Sequence, residues 1–163
     1  MKIIITLILL VFFQFTFGQG DYDTPSNEPL PVKLQNLKVG IEVMHFPKEN
    51  NPIKIKDKYY WKHITAILSK ESDLKIIEFG AYLFYNKQWN LRKSYNLKDL
   101  DTNFGTENQI LLQGQPYVWT NNWRIGNQLF GGWAMWYFIG INDNGEIICG
   151  YETINTTSKL LNK

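Results

Sequence analysis

Apolar and polar residues alternate with a period of two through most of this chain, the pattern of β-strands with one wet face. Leu37, Val39, Ile41 and Val43 alternate with Lys38, Gly40 and Glu42, and Ile53 and Ile55 alternate with Lys54 and Lys56. Residues 60–68 read as a further strand, and the polar residues 69–73 as a turn. Residues 74–85 form a long, nearly continuous apolar run, which implies burial on both faces. Asn86 and Lys87 then turn the chain into a strand over residues 88–95. Between Asn96 and Gly105 the alternation stops. Asn96 as a cap and Gly105 as a terminator predict a single helical turn there.

The last third reads as a meander, with strands over residues 110–112, 117–125, 133–141 and 146–154. Asn142-Asp143-Asn144-Gly145 is its clearest turn, with Gly145 suited to a left-handed backbone. In the 133–141 strand, Trp133, Met135, Tyr137 and Ile139 point one way and Ala134, Trp136 and Phe138 the other. Both faces are apolar, so this strand belongs at the centre of a sheet. The whole predicts an all-β, single-domain antiparallel β-sandwich or barrel of about eight strands.

The first 18 residues follow a different pattern. Met1 and Lys2 make a basic start, residues 3–17 are apolar except for Thr6, Gln14 and Thr16, and Gly18 closes the run. This is the form of a cleaved signal peptide, with the cut expected before Gln19 and the mature protein secreted or periplasmic. The run is shorter than the roughly 20 apolar residues a span requires, and no basic flank follows it. Membrane attachment is therefore expected only through an uncleaved signal. Residues 19–31 hold Pro25, Pro29 and Pro31 among polar residues and read as a flexible N-terminal segment. The all-β domain is placed at 32–154 and a C-terminal tail at 155–163.

At 163 residues and a formal net charge of +2, the chain has the size of one domain and no basic excess of the kind that binds nucleic acid. Cys149 is its single cysteine, so no internal disulfide forms and the fold rests on its apolar core. No His, Arg or Lys stands beside Cys149 to favour a thiolate, which marks it as a buried, inert thiol.

Candidate chemistry concentrates between residues 108 and 142, where Arg124 is the one charged residue and four of the six tryptophans lie. These rings serve either as core or as a platform that stacks on a sugar or another apolar face. On the platform reading the ligand-binding residues are Trp119, Asn121, Trp123 and Arg124, with Trp89 as an outlying contact. In an uninterrupted strand, Asn121 would share a face with Trp119 and Trp123. The loop from Gly126 to Gly132 carries Leu129 and Phe130, which either fold back over the sheet ends or present an apolar contact to a protein partner.

His45 and His63 are the only histidines, and no HxH, HExxH, GxSxG or GxGxxG pattern is present, so no metal and no cofactor is expected. Glu78 stands inside an apolar run, where a carboxylate needs a partner such as Arg124, Arg92 or His63. Without one, a raised proton affinity would make Glu78 the acid of a small extracytoplasmic hydrolase, with His63 as a second catalytic candidate. The leading expectation is a secreted or periplasmic non-catalytic binding module for carbohydrate or envelope polymer. Its alternatives are the hydrolase and a periplasmic structural or interaction protein.

Overall fold

A computed structural model describes residues 25–161; the signal peptide expected at 1–18 lies outside the described residues. Thirteen strands and one α-helix follow one another in it. They are β1 (Lys38–Val39), β2 (Ile41–Phe46), β3 (Glu49–Asn50), β4 (Ile53–Ile55), β5 (Lys58–Trp61), β6 (Ile64–Ser69), β7 (Leu74–Tyr85), β8 (Gln88–Ser94), α1 (Leu97–Phe104), β9 (Ile110–Leu111), β10 (Pro116–Trp119), β11 (Arg124–Gly126), β12 (Gly132–Ile141) and β13 (Ile147–Thr156). The fold is all-β and sandwich-like, but the strand count corrects the expectation of eight. Runs that read as single strands are broken. Residues 60–68 divide into β5 and β6 at Lys62 and His63, and residues 117–125 divide into β10 and β11 around a turn at Thr120 and Asn121. The pieces join different sheets, so each half keeps its own register.

The large sheet has the order β1-β13-β12-β7-β8. Strand β12 lies at its centre, paired antiparallel with β13 and β7 along its whole length. The tight turns are those the sequence marks. Asn86 and Lys87 both take positive φ (54° and 56°), the pattern of a two-residue hairpin turn between β7 and β8. Gly145 (φ 79°) closes the turn between β12 and β13.

The inner face of this sheet, with Phe79, Ala81, Trp136, Phe138, Ile148 and Ile154, packs on a second sheet of order β10-β6-β2. Ile41, Val43, Ile67 and Tyr117 supply the opposing face, and Leu100 and Phe104 of α1 close one side. The helix is two turns long rather than one. The Asn96 side chain accepts a hydrogen bond from Lys98 N at 2.9 Å, and Gly105 ends the helix at φ 73°. A third sheet, β11-β5-β4, flanks the sandwich and is pinned by Trp61, whose Nε1 donates to Thr157 O at 2.8 Å.

The outer face of the large sheet is apolar too. Tyr82, Met135, Tyr137, Ile139 and Cys149 are buried there beneath Leu34, with Leu30 and Leu37 packed alongside. Residues 25–37 thus act as a strap across that face, and the short helical turn Val32–Leu34 sets the inward direction of Leu34.

Candidate functional site

A cleft of about 230 Å³ opens where the inner face of the large sheet meets the end of the small sheets. Its aromatic wall is Tyr95, Trp119, Trp123 and Trp136, and its polar wall includes Asn50, His63, Arg92, Asn122 and Arg124. No aspartate or glutamate lines it.

The aromatic wall is anchored in the core. Tyr95 stacks on Trp136 at 5.3 Å and on Phe79 at 5.2 Å, and Trp136 meets Trp119 edge-on at 5.5 Å. Trp119 continues to Phe104 at 5.7 Å, Phe104 to Phe138 at 5.6 Å, and Phe138 returns to Phe79 at 5.7 Å. Centroid separations of this size are the favourable edge and offset geometries of aromatic pairs. The rings therefore form a closed circuit, and those reaching the cleft are held in place from behind. Trp123 stands apart. It is 42 % exposed, and Lys62 Nζ lies 4.2 Å above its ring.

The polar wall is fixed by buried hydrogen bonds. The Glu152 carbonyl can only accept, so His45 Nε2, 3.4 Å away, carries the proton of the neutral ring. His45 Nδ1 then accepts from the Thr65 hydroxyl at 3.1 Å, and Thr65 Oγ1 in turn accepts from Asn122 Nδ2 at 2.8 Å. This chain anchors Asn122 in the cleft. His63 Nδ1 sits 3.3 Å from Asn50 Nδ2, while His63 Nε2 is buried without a partner among the described residues. Burial holds both imidazoles neutral. It lowers the His45 pKa to about 3, with the neighbouring His63 adding to the effect, and the His63 pKa to about 4, partly offset by the Trp61 carbonyl.

Arg124 is half-buried, and its guanidinium lies 3.6 Å from the Phe130 ring, which itself stacks on Trp61 at 3.8 Å. Phe130 is thereby folded back from the Gly126 to Gly132 loop, while Leu129 remains 40 % exposed. Arg92 reaches the cleft from β8 because of a bulge. Tyr82 pairs with Leu91 and Ala81 with Lys93, which leaves Arg92 as the extra residue, and bulges re-aim side chains in this way.

The structure brings together Trp119, Trp123, Arg124 and His63. It does not bring in Asn121, which is exposed in the turn after β10 and whose carbonyl accepts from Trp123 N at 2.9 Å. Trp89 lies on the outer face against Phe84, where it lines a separate hollow with Leu30, Trp133, Met135 and Tyr151. Glu78 lies on that outer face as well, across the sheet from His63. Neither arginine nor His63 is its partner. The Glu78 carboxylate accepts from Tyr137 Oη at 2.6 Å, from Ser94 Oγ at 3.4 Å, and from Lys33 Nζ. Burial alone would raise its pKa, but Lys33 and Tyr137 together bring it below the ordinary carboxylate value. A general acid needs the opposite shift.

Among the described residues no group of three His, Cys, Asp or Glu side chains could hold a metal ion, and no helix is long and apolar enough to cross a membrane. No family model, no curated protein and no solved structure matches this chain.

Proposed function

We propose that this protein is an exported, non-catalytic binding module whose cleft seats one sugar ring of an extracellular or envelope glycan. The observation that carries this reading is the aromatic wall of Tyr95, Trp119 and Trp123 facing hydrogen-bonding groups fixed by buried partners. Sugars present an apolar face for stacking and hydroxyls at their rim, and a site with rigid rings and oriented amides answers both. Size supports a single ring, because the cleft is smaller than the ~300–1,000 Å³ typical of sites for drug-sized ligands. A polymer would place one residue in the cleft and run out over the exposed Trp123.

The test is a glycan array of neutral and acidic polysaccharides read by tryptophan fluorescence, followed by Trp123→Ala. Binding of at least one glycan, weakened about tenfold or more by the substitution in a folded protein, is the expected result. An array without a single binder, at millimolar ligand and with folded protein, refutes the module.

A further inference from the structure

The chain contains only two arginines, Arg92 and Arg124, and both line the same cleft. They arrive from different sheets. One is carried on the β8 bulge and the other on the first residue of β11. Neither forms an ion pair or donates a side-chain hydrogen bond to another described residue, whereas the ion pairs among the described residues all use lysine. Each guanidinium presents a planar fork of donors. Two such forks in one acid-free cleft repel one another, and burial lowers the proton affinity of Arg124 further. Burial first and Arg92 second bring its pKa down to about 10.

More positive charge surrounds them. Lys62 lies over Trp123 and Lys93 Nζ lies 4.2 Å over Tyr95. Asp99 of α1 acts on the Tyr95 hydroxyl but does not line the cleft. A protein with a formal charge of only +2 has gathered four cations around one aromatic pocket. Such a cluster costs stability unless a ligand offsets it.

We infer that the cleft selects an acidic sugar, one ring bearing a carboxylate or sulfate, with the anionic group held between Arg92 and Arg124 and the ring against Trp119 and Trp123. This rests on the glycan-binding reading above and narrows it. Arginine suits the task better than lysine, because its fork matches a planar or tetrahedral oxyanion with two hydrogen bonds. The buried His63 Nε2 in the same wall is a further unsatisfied group at the site.

The experiment pairs each acidic glycan with its neutral counterpart: polygalacturonate and alginate with their methyl esters, chondroitin sulfate with desulfated, methyl-esterified chondroitin. Binding to the full mature chain is followed by calorimetry. At least one acidic member should bind about tenfold or more tightly than its neutral partner, the worth of one charged contact. That preference should shrink from about 50 to about 300 mM salt. Arg92→Gln, at an exposed position, should bring the acidic ligand close to the affinity of the neutral one. Arg124→Lys, which keeps the charge and loses the fork, should lose affinity as well. The uronates and the sulfated glycan distinguish the two anionic groups.

Equal affinity for acidic and neutral partners, or an Arg92→Gln protein that keeps the preference, overturns the inference and leaves the binding module standing. Absence of binding to every glycan overturns both. So does tight binding of a nucleotide phosphate with no glycan bound.

Discussion

At the scale of single residues, the tryptophans divide by what stands behind them. Trp136 is 4 % exposed and belongs to the aromatic circuit, so Trp136→Ala should cost about 3–5 kcal/mol in a denaturant melt. Trp123 has solvent on one side and Lys62 on the other. Trp123→Ala should cost no more than about 1 kcal/mol while abolishing most ligand binding. A loss of several kcal/mol at Trp123 would show that it supports the fold instead. His45 and His63 carry a second expectation. Both are held neutral, with pKa values of about 3 and about 4 against an ordinary 6.5. Between pH 6.5 and 4 the unfolded chain therefore binds more protons than the folded one, and stability must fall as pH falls through that window. Each histidine contributes a slope of at most about 1.4 kcal/mol per pH unit, reached in the middle of the window. His63→Gln should reduce the slope of melting temperature against pH between those limits; an unchanged slope would show that His63 is protonated in the fold.

At the scale of elements, local irregularities build the cleft, and they explain what could be read from the chain. Trp119, Trp123, Arg124 and His63 stand out by composition, as aromatic and polar residues in an otherwise uncharged segment or as rare residue types. Arg92 is equally rare and Asn122 is one of several polar residues beside the tryptophans, but neither is placed in the cleft by composition or by strict alternation. Strict alternation puts Asn121 beside the tryptophans, and only the turn that breaks β10 from β11 substitutes Asn122 for it. Likewise the β8 bulge, invisible in the apolar pattern, delivers Arg92. The bulge in β7, where Ile139 pairs with Glu78 and Gly140 with Ile76, shifts the phase of that strand and puts Glu78 on the outer face. The hairpins at Asn86-Lys87 and Asn142–Gly145 were legible because positive φ demands particular residues; bulges demand none. Gly80 shows how tightly the β8 bulge is held. A Cβ there would press on the Lys93 carbonyl and on the Tyr137 ring. Gly80→Ala should therefore lower the melting temperature and weaken ligand binding together, since β8 carries Arg92. Lower stability with unchanged binding would separate the bulge from the site.

At the scale of the whole molecule, two sheets of unequal size share a core that needs no crosslink. The long alternating runs made that class readable, while the number of strands was not, because strands of two or three residues such as Lys38–Val39 and Ile110–Leu111 lack room for a pattern. Ligand sets for a structural metal are absent among the described residues, so chelators should leave the melting temperature unchanged. A drop of several degrees would point to ligands elsewhere in the chain.

The strap of residues 25–37 gives the thiol of Cys149 a use as a clock. Cys149 has no exposed surface and shares its cluster with Leu34, so a small alkylating reagent can reach it only while that cover is lifted. The labelling rate in native buffer then counts how often the outer face opens, one molecule at a time, without any denaturant. Leu34→Ala should quicken labelling well before it affects the melting of the sandwich beneath. If labelling instead keeps pace with global unfolding in both proteins, strap and sandwich come apart as one.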